Sequence, residues 1–470
     1  MDGSSSSPRG SEVRIGHSLN KDEEAFVARR RNTVLQCLQR LQIYRDDEAN
    51  FVGGGQRAMP GVPNIALLGS GGGQRAMVGL LGSLVQLDKA GLLDCILYLS
   101  GVSGSTWCMA SLYQEPDWST KLDTMKDKII KRLSGPVVSF TEAFKKLEKY
   151  YNKHFFSLTD VWAVLTVTEY VKEINEHTLT EEWNHDSKDP FPIYTLIDKQ
   201  CRQQGHGDPW FEISPYEAGY SVTGAFVDTC NFGSQFDNGS KKNHQDGLDM
   251  LYLQALCGSA LAESEDIKKF NWQQIKDFGK CLGTNNEVGH NSSAVDKQCQ
   301  VLTDLANMNL CVLNGEDPSD LDQSIRTTLN GLQIRYSIYQ SMNDWGKNYN
   351  FLYNITDKTV PSAVLESETR DYEDAGLLLN SPYFSVLRKE RDIDLIISLD
   401  FSDGDPFVTV REAAEMCKKL NIPFPEVNIP TEDVKKPKDF YVYKGQNAPS
   451  VIHIPLFNVV NCGGKLRLTS

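Results

Sequence analysis

The segment from Pro63 to Tyr113 constrains the fold more than any other part of the chain. An apolar run, PNIALLGS, precedes the glycine-rich GGGQRAM (71–77), and leucines at helical spacing follow. A second apolar run, CILYLS, leads into a Gly/Ser turn and another helix-like pattern. Strand, loop, helix, strand, tight turn and helix in this order indicate an α/β sheet. We therefore predict an α/β fold.

The heptapeptide GGGQRAM occurs twice, at 53–59 and at 71–77. The first copy runs into Pro60, which lacks a backbone donor and biases Met59 away from helix. The second copy lies between a predicted strand and a predicted helix, where consecutive N–H groups can surround an anion. We interpret the first copy as an ordinary loop and the second as an anion-binding loop.

The stretch LYLSGVSGSTW places Ser103 between Gly101 and Gly104, directly after an apolar strand. A nucleophilic serine on such a turn needs a strained backbone and small neighbours that let an ester carbonyl approach. The fifth position is Ser105 rather than glycine, which breaks the usual nucleophile-elbow pattern, and an ordinary Gly/Ser turn is the alternative. Because the anion-binding loop lies about thirty residues upstream, we predict a serine hydrolase.

The base for Ser103 is not evident from spacing. His453 lies in SVIHIPLF, an alternating apolar strand, where a structural histidine is the favoured interpretation. Asp374 in YEDAGLLLN and Asp400 in ISLDFSDGD both follow strand-like runs, and spacing alone does not choose between them.

Composition excludes several classes of protein. The chain of 470 residues has 48 basic and 62 acidic residues, a net charge of −14, which argues against nucleic acid as a partner. It shows no N-terminal apolar core and no apolar run of about eighteen residues, so neither secretion nor membrane spanning is predicted. Eleven cysteines without a C-x-x-C pair suit a reducing cytosol. No H-E-x-x-H occurs, and we predict no catalytic metal and no cofactor.

Several strings together resemble the catalytic domain of the group IV cytosolic phospholipases A2, most closely their gamma type. They are LLGSGGGQRAM, GVSGSTW, EDAGLLLNSP and DLIISLDFSDGDPF, in the order that the family has them. The resemblance implies a mixed central sheet flanked by helices, as in the cytosolic phospholipase/patatin-like acyl hydrolases, with helical insertions forming a cap.

The resemblance also implies a domain organisation. We expect a disordered N-terminus (1–12), a catalytic domain over 13–470, and a variable insertion at about 260–340. The family continues beyond NCGGKLRLTS, so we expect a C-terminal truncation. No C2 module precedes the domain, and calcium-independent activity is expected.

The family works with a serine–aspartate dyad, which implies Ser103 as nucleophile and Asp374 as base. Gly72 and Gly73 would then donate to the oxyanion, and Arg75 and Arg391 would bind the substrate phosphate. An arginine fork suits a phosphate better than a lysine does.

The expected function is that of a cytosolic lipid acyl hydrolase, peripherally associated with intracellular membranes. It would release fatty acid from glycerophospholipids and lysophospholipids through an acyl-enzyme. Two alternatives remain open from the sequence: a Ser-His-Asp α/β-hydrolase acting on soluble esters, and a catalytically inactive lipid-binding truncation product.

Overall fold

The computed structural model describes residues 12–43, 61–151, 155–205, 207–260, 319–328 and 345–456, with the single residues 304, 307, 311 and 317. The first glycine-rich heptapeptide, most of the predicted insertion and nearly all of the predicted disordered N-terminus lie outside these ranges. The domain boundaries given above therefore stay predictions.

The strands of the described residues are short and mostly buried. They are β1 (Val13–Ile15), β2 (Ile65–Gly69), β3 (Tyr98–Gly101), β4 (Phe191–Asp198), β5 (Trp210–Ile213), β6 (Glu217–Tyr220), β7 (Ala225–Asp228), β8 (Gln235–Asp237), β9 (Ser240–Asn243), β10 (Lys347–Tyr349), β11 (Thr369–Asp374), β12 (Leu395–Leu399), β13 (Tyr441–Tyr443) and β14 (Ser450–Ile454).

The helices pack around these strands. They are α1 (Lys21–Arg40), α2 (Gly73–Lys89), α3 (Gly104–Tyr113), α4 (Leu122–Leu133), α5 (Phe140–Tyr151), α6 (Leu158–Trp162), α7 (Thr168–Val171), α8 (Leu179–Glu182), α9 (Lys199–Gln204), α10 (Met250–Cys257), α11 (Ser319–Thr328), α12 (Tyr383–Val386), α13 (Val408–Leu420) and α14 (Thr431–Lys435). Within the described ranges, none of them combines the length and the apolar character that a membrane span requires.

One large sheet of twelve strands forms the centre of the protein. Its order is β1-β7-β6-β5-β4-β3-β2-β12-β14-β13, with β11 joined to β4 and β10 joined to β11. The pairs from β4 through β3, β2 and β12 to β14 are parallel, and the others are antiparallel. This is the predicted mixed sheet, and β8 and β9 form a separate hairpin.

The predicted strand–loop–helix unit forms because its apolar residues match the period of each element. All five residues of β2 are buried, as a strand covered on both faces requires. In α2 the residues Met77, Leu80, Leu81 and Leu84 lie on one buried face, at the spacing of an amphipathic helix. The loop between β2 and α2 is thereby fixed at the carboxyl edge of the parallel strands.

Strand β4 brings two distant segments together on one of its flanks. Its first half pairs with β3, and the last pair is Tyr194 with Gly101. Its second half pairs with β11, and the last pair is Leu196 with Asp374. Because β5 occupies the other flank of β4, β3 and β11 meet end to end. A strand rises about 3.3 Å per residue, so the two strand ends lie within a side chain's reach of each other.

Candidate active site

Ser103 lies on the turn between β3 and α3 in a conformation that non-glycine residues rarely adopt. Its φ and ψ are 51° and −123°, which indicates a strained position that the surroundings hold in place. The next residue must be glycine, because a Cβ on Gly104 would lie 1.9 Å from the Gly73 carbonyl oxygen. The turn therefore has the strain and the small neighbour that a nucleophile requires.

Ser105 explains why the fifth position of the turn departs from glycine. Its hydroxyl donates to the Ser70 carbonyl oxygen at 2.6 Å. A Cβ on Gly69 would lie 2.6 Å from Ser105 Oγ, so the end of β2 approaches α3 closely. Ser105 thus ties the turn of Ser103 to the start of the glycine-rich loop.

Asp374 ends β11 and is fully buried. Its Oδ1 accepts from the Gly376 N–H at 2.8 Å and its Oδ2 accepts from the Ala260 N–H at 3.1 Å. Burial raises the pKa of this carboxyl to about 7, although the two backbone N–H groups and the nearby Ser103 side chain oppose the rise. The nucleophile candidate is therefore in contact with a carboxylate that titrates near neutral pH.

Asp400, the second aspartate that the sequence left open, holds the neighbouring loops together. It accepts from the Ser402 N–H at 2.9 Å, from the Ser70 hydroxyl at 3.3 Å and from the Thr409 hydroxyl. In the described part of the chain, Asp374 is the aspartate whose pKa the nearby Ser103 side chain lowers.

His453 is buried on β14 and does not contact Ser103 among the described contacts. Its Nε2 donates to the Pro406 carbonyl oxygen at 2.7 Å and lies 4.0 Å from Asp400 Oδ2. Burial lowers the pKa of His453, which favours the neutral ring. This is the position of the structural histidine that the alternating apolar strand suggested.

Gly72 and Gly73 form the turn that starts α2. Their φ angles are 149° and 59°, where glycine has no steric cost. The N–H groups of a first helical turn have no intrahelical acceptor and carry the positive end of the helix dipole. Because the Gly73 carbonyl lies against Gly104, the start of α2 lies next to the turn of Ser103. The loop is therefore suited to bind an oxyanion next to the nucleophile.

Arg75 lies beside this loop with 44% of its side chain exposed. Its Nε donates to the Phe401 carbonyl oxygen at 2.8 Å. Its Nη1 lies 4.0 Å from Asp403 Oδ2, and Asp403 itself is 89% exposed, so this pair contributes little to stability. The guanidinium thus lies at the mouth of the site, where an anionic substrate group could reach it.

Arg391 lies in a buried ion cluster instead of at the mouth of the site. Its side chain is 0% exposed and bonds Glu23 at 2.9 Å and Glu212 at 2.8 Å. Burial would raise the pKa of Glu212, but Arg391 and Arg388 hold it at about 2. The arginine has carboxylate partners on α1 and β5 and no exposed surface, so its position does not fit the expected contact with a substrate phosphate.

We expect Arg391→Ala to lower the free energy of unfolding by about 3–5 kcal/mol, because it leaves the buried carboxylate of Glu23 without its counter-charge and Glu212 with Arg388 alone. Chemical denaturation measures the change. Arg411, whose side chain is 43% exposed and pairs with Asp405 at 2.8 Å, provides the matched control: Arg411→Ala should cost less than about 1 kcal/mol. An Arg391→Ala variant with wild-type stability that loses turnover only of phosphate-containing lipids would contradict this expectation. Arg391 would then bind the substrate phosphate.

Sequence reasoning missed the groups that hold Asp374 from the end of α10. The Asp374 N–H donates to Ser259 Oγ at 2.9 Å, and the Ala260 N–H donates to the carboxylate. A Cβ on Gly258 would lie 2.5 Å from the Trp107 ring, so the end of α10 also packs on α3. No spacing rule could reveal these contacts, since more than a hundred residues separate the partners.

Comparisons with known proteins show which family the chain resembles. A family model described as a lysophospholipase catalytic domain matches residues 65–263. Human cytosolic phospholipase A2 gamma is 31% identical to this chain, and the alignment covers 98% of this chain and 89% of the human protein. Mouse cytosolic phospholipase A2 gamma is 32% identical, with 96% and 84% covered.

A solved structure extends the likeness to the fold. Human GIVD cytosolic phospholipase A2 has a TM-score of 0.68 at 25% identity, covering 96% of this chain and 57% of that chain. The predicted fold is confirmed by this similarity. From the near-complete alignment with the gamma-type relatives and this shared fold, we conclude that the chain belongs to the cytosolic phospholipase A2 family.

Proposed function

We propose that this chain hydrolyses the acyl esters of glycerophospholipids and lysophospholipids with Ser103 as nucleophile and Asp374 as base. Its family is one of lipid acyl hydrolases. The observation that carries the residue assignment is the buried Asp374 carboxyl at the end of β11, close enough to the Ser103 side chain for that side chain to lower its pKa. His453, which the Ser-His-Asp alternative would need as its base, makes its hydrogen bond to the Pro406 carbonyl instead.

The reaction follows from these groups. Ser103 Oγ attacks the acyl carbonyl carbon while its proton moves to the Asp374 carboxylate. The oxygen of the tetrahedral intermediate accepts hydrogen bonds from the Gly72 and Gly73 N–H groups. As the intermediate collapses, Asp374 returns the proton to the departing alcohol oxygen of the lipid. Water then attacks the acyl-enzyme while Asp374 takes its proton; the bond from Ser103 Oγ to the acyl carbon breaks as Asp374 returns the proton to Oγ, and the fatty acid leaves.

An ordinary aspartate is too weak a base to take the proton of a serine hydroxyl. Burial reduces the difference in pKa between the two groups. A carboxyl with a pKa of about 7 holds a proton far better than one with the usual value near 4. The remaining gap is met by the oxyanion donors, each worth roughly 2.7–4 kcal/mol of transition-state stabilisation.

The pH profile tests the base. Asp374 must be deprotonated to accept the serine proton, so kcat/KM should fall about tenfold per pH unit below pH 7 and level off above it. The measurement is the initial rate on mixed micelles of detergent and phospholipid between pH 4.5 and 9, with thermal melts to locate any unfolding. A midpoint near pH 4 in a folded protein would show that Asp374 is not a buried base.

The substrate is expected to be reached at a membrane surface, with its phosphate near the half-exposed Arg75. All groups in the proposed reaction belong to the chain itself, so we also expect turnover to be independent of calcium. Assays on phospholipid vesicles in EGTA should give at least half the rate seen with added calcium. A loss of more than tenfold that calcium restores would contradict this expectation.

Labelling with a fluorophosphonate tests the proposed function as a whole, because the probe reacts only with an activated serine. We expect labelling of the wild type and none of Ser103→Ala. A labelled wild type that hydrolyses soluble esters but not phospholipid vesicles would favour the soluble-ester alternative, and an unlabelled, folded wild type would favour lipid binding without catalysis.

A further inference from the structure

Asn380 lies between the two loops of the proposed site, six residues after Asp374. Its side-chain oxygen lies over Gly71, where an added Cβ would come within 2.2 Å of it. The same oxygen would lie 2.9 Å from a Cβ on Gly376, the residue whose N–H binds the Asp374 carboxylate. Asn380 therefore contacts both the glycine-rich loop and the turn of the base.

Asn380 holds both ends of Gly71. The Gly71 N–H donates to the Asn380 carbonyl oxygen at 3.1 Å. The Asn380 side-chain Nδ2 donates to the Gly71 carbonyl oxygen at 3.3 Å and to Ser402 Oγ at 2.7 Å. Since carbonyl oxygens only accept, this orientation of the amide is the one that satisfies the contact with Gly71.

The bond to the Gly71 carbonyl has a consequence for the next residue. The carbonyl of Gly71 and the N–H of Gly72 belong to one planar peptide unit, and no described peptide bond is cis. In a trans unit the two groups point in opposite directions. Whatever fixes the Gly71 carbonyl therefore also fixes the direction of the Gly72 N–H. Glycines on both sides of this unit provide little resistance to its rotation.

We propose that Asn380 is a positioning residue, which aims the Gly72 N–H at the oxyanion by holding the Gly71 carbonyl. Ser402, whose backbone N–H is bound by Asp400 at 2.9 Å, fixes the Asn380 amide in turn. This inference rests on the proposed function, since it gives a task to Asn380 only if Gly72 is an oxyanion donor.

The variant Asn380→Ala should reduce kcat by about 10- to 100-fold and leave KM within about twofold, because the lost alignment matters in the transition state. Asn380→Asp keeps the shape but cannot donate to the Gly71 carbonyl, so it should be at least as slow. Its carboxylate would also lie near the turn of Asp374, and the acid limb of the pH profile should move to higher pH. That shift reports the distance from position 380 to Asp374, so the selective loss of kcat in the uncharged Asn380→Ala is the readout that a purely structural role would not give.

Two further variants keep the test decisive. Ser402→Ala leaves Asn380 in place but frees its amide, and kcat should fall about 3- to 10-fold. The double variant should be no slower than Asn380→Ala alone, because both act through one bond. Asn243→Ala is the control: this exposed asparagine donates to Gln235 Oε1 at 2.6 Å in the separate hairpin, and its loss should leave kcat unchanged.

The outcomes separate this inference from the proposed function. If wild-type turnover does not depend on Ser103, the proposed function fails and the inference with it. If turnover depends on Ser103 and folded Asn380→Ala keeps kcat within threefold or changes KM alone, the inference fails and the proposed function stands. If Asn380→Ala and Asn380→Asp do not fold, a Ser402→Ala rate within twofold of wild type overturns the inference.

Discussion

Asp374→Asn is expected to abolish phospholipid turnover and fluorophosphonate labelling as completely as Ser103→Ala, a loss of at least about 10⁴-fold in kcat. Asparagine keeps the shape of the side chain, but its amide cannot take the proton of the nearby serine. Members of one catalytic unit are not additive, so the double variant should be no slower than either single one. The measurement is the initial rate on mixed-micelle phospholipid, with folding checked by thermal melts.

The matched control is His453→Asn. His453 bonds the Pro406 carbonyl at 2.7 Å and is fully buried, so its replacement should reduce stability and leave kcat within several-fold. A folded His453→Asn without activity, beside an active Asp374→Asn, would overturn the dyad and favour a histidine-dependent hydrolase.

Gly72→Ala is expected to lower kcat by about 10²-fold or more. Its φ of 149° disfavours a side chain, and the new Cβ would lie 2.9 Å from the Phe401 carbonyl oxygen. The peptide must therefore shift, and the oxyanion loses a donor worth roughly 10²–10³ in rate. Single-turnover rates on phospholipid measure the chemical step directly.

Gly82 on α2 provides the control for this glycine replacement. A Cβ there meets nothing within 4 Å, and alanine is the better helix former, so Gly82→Ala should keep full activity and gain slight stability. Replacing Gly54 and Gly55 in the first glycine-rich copy by alanine should leave turnover within about threefold of that of the wild type. Equal losses from the two copies would contradict the choice of the second copy as the oxyanion loop.

The local parts of the fold could be predicted because their causes are local. The apolar run of β2 and the leucine spacing of α2 depend on neighbours in sequence, and both formed as expected. Ser103 was found for the same reason: its strained turn needs glycine next to it, and glycine is visible in the sequence. The sequence also showed that Ser105 breaks the usual pattern, but its bond to Ser70 comes from packing against another strand.

The parts that could not be predicted depend on partners far away in the chain. In the proposed dyad, the pairing of β11 with β4 places Asp374 near Ser103, a register that spacing does not reveal. The surroundings of Arg391 depend on Glu23 and Glu212, which come from two other elements. A motif match could name Arg391, but only the three-dimensional contacts show that its charge is already compensated.

The end-to-end meeting of β3 and β11 on β4 has a consequence for how the enzyme gains its activity. Ser103 and Asp374 are separated by 271 positions in the chain. Two strands from the later part of the chain join strands from its earlier part, since β11 pairs with β4 and β12 pairs with β2. Contacts between residues so far apart in the chain form slowly, after the local units have folded. With Asp374 as the proposed base, Ser103 on a chain emerging from the ribosome lacks its base until β11 has been made and docks on β4, so we expect lipid hydrolysis only when synthesis of the domain is nearly finished.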